Sequence, residues 1–245
     1  MKRFFSPLKK KVVFFDLNDT LVSKDLTLKN CFLQVLNQFT GRWDSDREEW
    51  DPLSVYNRYK QEWDRLNQKK DKKKPPRQKL QLISLRHAFE PYPFRTDDAF
   101  LASFLKSMKE QESDYIQLFP EVEKILPPLA ENYTLAVISN GSEPDLRRIG
   151  LSPYISQKHV FTSDKCGYKK PHPYIYKHAL NAMQITASQG VMVGNSWRAD
   201  IYGATRLGID AVWINRSHKK KGTLRKIGKE KVIIIRKLEQ LTEIF

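Results

Sequence analysis

Short apolar runs mark where this chain is predicted to form buried strands. The first run, 12–15, consists of β-branched and aromatic residues and ends abruptly at Asp16 and a polar turn. A run of this kind that is bounded by a charge is typical of a parallel strand buried on both faces. Further apolar runs occur in the second half of the chain, at 134–138, 159–163, 190–193, 211–214 and 232–235.

Segments with helical periodicity separate these later runs. Helices are predicted to begin at Pro120, to span Pro173–Met183 and to span Asp200–Leu207. Pro120 suits the first position of a helix because a residue there needs no backbone N–H donor. Strands that alternate with helices predict crossover connections and a mostly parallel sheet of the α/β class.

A different pattern fills residues 22–113, where apolar residues recur every three or four positions. This spacing predicts amphipathic helices. The segment 96–98, Thr-Asp-Asp, lies where it would cap the last of them. No strand pattern intervenes, so the segment predicts a small helical bundle. The four predicted helices lie near 26–39, 55–66, 80–89 and 96–108. We therefore expect an α/β core formed by 1–21 and 114–245, with a helical domain at 22–113 inserted after its first strand.

Composition places the chain among folded proteins, since 40% of its 245 residues are apolar. Its two cysteines, Cys31 and Cys166, are too few for a disulfide framework and match no zinc-binding pattern. No apolar run approaches the roughly 20 residues that span a bilayer. The N-terminal residues lack the apolar segment of a secretion signal. These features predict a cytoplasmic protein without membrane contact.

The formal net charge of +15 is concentrated in a few segments. Residues 215–245 contain ten basic and three acidic side chains, and lysine runs occur at 69–74 and 219–221. These runs lack the interleaved aromatic residues that a nucleic-acid-binding motif would show. We therefore expect a solvated basic surface and no nucleic-acid partner. A small anionic substrate is compatible with this charge.

Polar residues follow two predicted strands at the ends where open α/β sheets bind ligands. The Asp16 carboxylate can act as a nucleophile whose covalent intermediate water then clears. A turn or capping residue is the alternative at such a position. The Ser139 hydroxyl, with the backbone N–H groups that follow it, can hold a phosphate oxygen. Helix capping is the alternative for this serine.

Two further motifs follow later strands. Lys170 precedes a proline and a predicted helix, so it is held in place and can neutralise charge on a nucleophile and a transferred group. The proline directly after it favours Lys170 over Lys169. Asn195 follows a strand, and Asp200 comes five residues later. Their oxygens can bind a hard cation such as Mg²⁺, or they serve as ordinary turn and helix-start residues.

In this order and spacing, the four motifs resemble those of the haloacid dehalogenase superfamily of phosphohydrolases. The resemblance covers nearly the whole chain, with motifs at 16–21, Ser139, 170–171 and 194–200. It implies a Rossmann-like core and a helical cap domain that closes over the substrate. The resemblance implies that Asp16, Asn18 and Lys170 occupy the family's catalytic positions. The expected substrate-binding residues are Thr20, Ser139, Asn140 and Lys170, and the expected Mg²⁺ ligands are Asp16, Asn18, Asn195 and Asp200.

The chain departs from the family pattern at two positions. Asn18 stands where phosphatases of the family usually have an aspartate that protonates the leaving group and activates water. Asp19 is a poor substitute because strand alternation places it on the opposite side from residues 16 and 18. Asn195 stands where a Mg²⁺-binding aspartate is usual, so we expect weaker Mg²⁺ binding. The family also uses the main-chain carbonyl at the position of Asn18 as a metal ligand, and an asparagine keeps that carbonyl.

Three functions are compatible with these residues. The first is a Mg²⁺-dependent phosphatase of small phosphorylated metabolites, which works through an aspartyl-phosphate on Asp16 and is slow because of Asn18. The second is a metal-independent dehalogenase-like hydrolase, favoured by the two asparagines. The gap of five residues from Asn195 to Asp200 argues against it, since similar dehalogenases have a gap of three. The third is a degenerate, non-catalytic member that binds a phosphorylated ligand.

Overall fold

The computed structural model describes residues 4–41, 51–68, 75–92, 96–217 and 223–245. Two compact units make up the chain, one formed by Met1–Lys24 with Gln117–Phe245 and the other by Asp25–Ile116. The lysine runs at 69–74 and 219–221, predicted to form a solvated surface, lie outside the described residues. Within the described ranges, helices that combine the length and the apolar character needed to cross a membrane are absent.

A seven-stranded sheet forms the centre of the first unit. The strand order is β3-β2-β1-β4-β5-β7-β6, and every neighbouring pair is parallel except β6 with β7. The predicted α/β class and mostly parallel sheet are therefore confirmed. The strands are β1 (Val12–Phe15), β2 (Thr134–Ser139), β3 (Val160–Thr162), β4 (Gly190–Gly194), β5 (Asp210–Ile214), β6 (Thr223–Ile227) and β7 (Glu230–Ile235).

Strand β1 lies between β2 and β4, and all four of its residues are buried. This burial on both faces explains its continuous apolar sequence. The ladder continues one residue beyond the strand, because the Asp16 amide donates to the Val193 carbonyl at 2.8 Å. The amides of Leu21 and Val22 then both donate to the Leu17 carbonyl and turn the chain away. Asp16 therefore stands at the carboxyl edge of the sheet.

The second unit contains the four predicted helices and is an aromatic-rich bundle. Phe32 lies at its centre, with ring centroids 5.0 Å from Tyr59 and 5.3 Å from Phe104. Within the predicted capping segment 96–98, Asp97 caps the last helix, since its carboxylate accepts from the Phe100 amide at 2.8 Å. That this bundle closes over the substrate stays a prediction. The helices are α1 (Lys24–Thr40), α2 (Pro52–Gln68), α3 (Arg77–Phe89) and α4 (Asp98–Gln111).

Shorter helices pack around the sheet. Helix α5 begins at Val122, two residues later than predicted, because Phe119 and Pro120 form a preceding turn in which the Val122 amide donates to the Phe119 carbonyl. The helices are α5 (Val122–Ala130), α6 (Ser163–Cys166), α7 (Pro173–Ala182), α8 (Gly203–Thr205) and α9 (Leu241–Ile244). Short 3₁₀ turns occupy Glu112–Tyr115, Gln157–His159, Ala187–Gln189 and Leu238–Gln240.

The predicted helix at Asp200–Leu207 differs from the observed structure. A wide π-helical turn occupies Trp197–Tyr202, and α8 follows it directly. This turn begins early because the Ser196 hydroxyl accepts from the Ala199 amide at 3.1 Å and so supplies the N-terminal cap. Asp200 therefore lies within the first turn rather than at the start of the helix.

Candidate active site

The Asp16 carboxylate lies at the end of β1 and is 7% exposed. Its Oδ1 accepts from the Lys170 ammonium at 2.6 Å, and its Oδ2 accepts from the Thr20 hydroxyl at 3.2 Å. Thr20 follows Asp16 by four residues, in the same turn, and is fully buried. Two donors therefore orient the carboxylate at the edge of the sheet.

Lys170 reaches the same edge from the loop before α7 and is 5% exposed. Its ammonium donates to Asp16, to Asp200 Oδ1 at 2.7 Å and to the Ile138 carbonyl at 2.7 Å. Burial by itself lowers the pKa of Lys170, but the two carboxylates outweigh this effect and raise the pKa above its ordinary value. Lys170 is therefore a fixed cation.

Asn140 holds the main chain of Lys170 in place. The Lys170 amide donates to Asn140 Oδ1 at 2.7 Å, and Asn140 Nδ2 donates to the Lys170 carbonyl at 3.2 Å. Asn140 was predicted to contact substrate, but both ends of its side-chain amide are engaged in this way. Its observed contact is therefore a positioning contact, made across 30 residues of sequence.

Asp200 is 1% exposed and both of its oxygens are used. Oδ1 accepts from Lys170, and Oδ2 accepts from the Ser196 amide at 2.8 Å. Burial raises the pKa of Asp200 to about 6, against the opposing effect of the Lys170 ammonium. The close approach requires glycine at position 194, because a Cβ there would lie 2.4 Å from the Asp200 carboxyl carbon.

Asn195 contacts Thr20 through its side chain and Trp213 through its main chain. Its Oδ1 is 3.5 Å from the Thr20 hydroxyl, and its main-chain carbonyl accepts from Trp213 Nε1 at 3.0 Å. The Trp213 ring packs 4.8 Å from that of Trp197. Trp213 was not identified from the sequence. Its only signal there is its position at the end of the strand next to β4.

Two predicted site residues have polar groups that are uncommitted, meaning that they make no hydrogen bond within the described ranges. The side chains of Ser139 and Asn18 make no hydrogen bond to another residue in the described ranges, and neither does the Asn18 main-chain carbonyl. Asp19 is turned away, with Oδ1 accepting from the Lys24 amide and Oδ2 lying 3.3 Å from the Lys24 ammonium. The structure thus brings Asp16, Thr20, Lys170, Asn195 and Asp200 together, and Ser139 ends the strand beside β1.

The donor set of this site suits a hard cation. Groups of three or more His, Cys, Asp or Glu side chains that could together hold a metal ion are absent from the described residues. The available donors are instead oxygens: two carboxylates, the Asn195 amide and the Asn18 main-chain carbonyl. Mg²⁺ is commonly held by one or two carboxylates, with water completing its shell. The residues therefore fit Mg²⁺, although Lys170 neutralises part of their negative charge.

Comparisons with known proteins agree with this geometry. Residues 13–214 match the family model of haloacid dehalogenase-like hydrolases. The glyceraldehyde 3-phosphate phosphatase of Pyrococcus abyssi is 36% identical over 104 residues, which cover 40% of this chain and 43% of that enzyme. The chain thus spans less than half of that relative's length. Pyrimidine 5'-nucleotidase PynA of Streptococcus pneumoniae is 28% identical over 216 residues, 85% of each chain.

A solved structure shows the same fold over a greater length. The HAD-hydrolase YfnB of Bacillus subtilis, described as bound to magnesium, superposes with a TM-score of 0.61 at 20% identity and covers 96% of this chain and 98% of its own. The family model spans most of the chain and includes Asp16, Lys170 and Asp200. The chain belongs to the haloacid dehalogenase-like hydrolases.

Proposed function

We propose that this protein is a Mg²⁺-dependent phosphatase of small phosphorylated metabolites. The observation that carries the proposal is the buried Lys170 ammonium, which contacts Asp16 Oδ1 at 2.6 Å, with Ser139 at the end of the neighbouring strand β2. A nucleophilic carboxylate, a fixed cation and a hydroxyl donor are the groups that phosphoryl transfer through a covalent intermediate requires. The phosphatase and nucleotidase names of the two relatives support it.

Each residue has a role in the proposed reaction. Asp16 attacks phosphorus, and Thr20 keeps the carboxylate oriented during the attack. Lys170 neutralises Asp16 and the charge that develops on the transferred phosphoryl group, while the Ser139 hydroxyl donates to a phosphoryl oxygen. Water then releases phosphate and regenerates the Asp16 carboxylate.

Mg²⁺ would be held by Asp16, Asp200, the Asn195 amide oxygen and the Asn18 main-chain carbonyl. When bound, the cation supplies positive charge against the phosphoryl oxygens. Asn195 contributes an oxygen without a charge, so we expect weaker Mg²⁺ binding than an aspartate at this position would give.

The experiment is a phosphate-release assay with an aryl phosphate and a panel of phosphorylated metabolites, with and without EDTA. We expect release by the wild type that falls on adding EDTA and is abolished in Asp16→Asn. The same background release from both proteins on every compound would contradict the proposal.

Asn18 and Asn195 favour a second candidate, a metal-independent hydrolase that acts at carbon. Its signature would be chloride release from a 2-haloacid at equal rates with and without EDTA. A third candidate, a non-catalytic phospho-ligand-binding protein, would show thermal stabilisation by phosphate compounds without turnover. The gap of five residues from Asn195 to Asp200 supports the phosphatase over the hydrolase that acts at carbon.

A further inference from the structure

The described residues around Asp16 hold no proton that could be given to a leaving group. The side chains that contact its carboxylate are Lys170 and Thr20. An ammonium has three N–H donors, and those of Lys170 serve Asp16, Asp200 and the Ile138 carbonyl. A threonine hydroxyl is too weak an acid to serve in its place.

Two other carboxylates close to this turn, those of Asp200 and Asp19, are also unsuited to protonate a leaving group. Both oxygens of Asp200 accept hydrogen bonds, one from Lys170 and one from the Ser196 amide, so this carboxylate acts as an acceptor. Asp19 is bound to the amide and ammonium of Lys24. Asn18 has an uncommitted side chain, but an amide cannot serve as a general acid.

A leaving group that must be protonated is therefore disfavoured at this site. General acid–base catalysis is worth roughly 10²–10⁴-fold in rate. An alkoxide needs that help when it departs from phosphorus, because its conjugate alcohol is a very weak acid. A carboxylate, a phosphate or an acidic phenolate does not, because each is a stable anion at neutral pH.

We propose that the substrates of this site are activated phosphates, namely acyl phosphates and phosphoanhydrides, in preference to simple alkyl phosphate esters. This inference rests on the proposed phosphatase function and narrows its substrate class. An Asp16 carboxylate oxygen bonds to phosphorus while the bond from phosphorus to the leaving oxygen breaks, and the electron pair departs on that oxygen as an anion. Water then attacks the aspartyl-phosphate and the carboxylate leaves phosphorus; one proton of the water stays on the released phosphate and the other passes to the solvent.

The test is the dependence of the rate on the leaving group. A series of aryl phosphates with graded phenol acidity, together with acetyl phosphate and glycerol 3-phosphate, is assayed with the wild type, Asn18→Asp and Asp19→Asn. We expect kcat/KM of the wild type to fall steeply as the phenol becomes less acidic. Asn18→Asp should accelerate the poorest leaving groups by roughly 10²–10⁴-fold and thereby flatten the slope. Asp19→Asn, the matched control, should keep the wild-type slope.

Each other result has a defined meaning. A shallow slope in the wild type that Asn18→Asp leaves unchanged shows that another group protonates the leaving oxygen, and it overturns the inference while the phosphatase function stands. A steeper slope in Asp19→Asn than in the wild type assigns the proton to Asp19 and also overturns it. Equal background rates for the wild type and Asp16→Asn on every compound overturn the phosphatase function itself.

Discussion

Replacing Lys170 by methionine should destabilise the fold, because it leaves two buried carboxylates facing each other. Asp16 and Asp200 each place Oδ1 within 2.7 Å of the Lys170 ammonium, so these oxygens lie within about 5 Å of one another. At an effective dielectric constant of about 20, two unit charges at that distance repel by roughly 3 kcal/mol. Removing one partner of a buried ion pair commonly costs about 3–5 kcal/mol, which agrees with this figure.

Urea unfolding in the presence of EDTA measures this effect. We expect Lys170→Met to lower the free energy of unfolding by about 3 kcal/mol, or the midpoint of thermal unfolding by roughly 6–12 °C for a chain of this size. Adding Asp200→Asn should recover at least half of the loss, since it removes one of the two charges. Lys169→Met, at the exposed neighbouring position, is the matched control and should change stability by less than about 0.5 kcal/mol.

Two outcomes would refute this reasoning. The first is a Lys170→Met variant as stable as the wild type, which would mean that the carboxylates do not depend on the ammonium. The second is a loss of stability that Asp200→Asn fails to relieve, which would assign the loss to packing rather than to charge.

Three further predictions concern residues around the site. Gly194→Ala should abolish phosphate release, because the new methyl group would lie 2.4 Å from the Asp200 carboxyl; wild-type activity would contradict this. Asn140→Ala removes two hydrogen bonds to the main chain of Lys170, each worth about 1 kcal/mol. In phosphate-release assays kcat should therefore fall more than tenfold. An unchanged kcat would mean that Asn140 does not position Lys170. Burial raises the pKa of Cys31 to about 11, so thiol titration of the native protein at pH 8 should leave Cys31 unmodified until denaturant is added; rapid modification of both thiols would contradict its burial.

The strands that were predicted correctly are those that the sheet buries on both faces. Val12–Phe15 and Val232–Ile235 are continuous apolar runs because helices or loops cover both sides of their strands, and this burial makes them visible in the sequence. Strand β6 (Thr223–Ile227) was missed because it is an edge strand with Arg225 and Lys226 exposed. Basic residues protect such edges from further pairing and also hide the strand pattern.

Some residues of the site could be identified from local sequence patterns, whereas others depend on contacts between distant parts of the chain. Asp16, Ser139, Lys170 and Asp200 were identifiable because each follows a strand or precedes a helix in a recognisable local pattern. The clamp of Asn140 on the Lys170 main chain depends on two loops that only the folded sheet brings together. A side chain that bonds a distant backbone group leaves no periodic or local signal in the sequence.

Trapping the covalent intermediate tests the central claim most directly. The protein is mixed with acetyl phosphate and Mg²⁺, quenched in acid within milliseconds to seconds, and analysed by intact mass and peptide mapping. We expect the mass of one phosphoryl group on the peptide that contains Asp16, and an unmodified protein in Asp16→Asn. Turnover of acetyl phosphate with no phosphorylated Asp16 at any quench time, or with the phosphoryl group on another residue, would contradict the account.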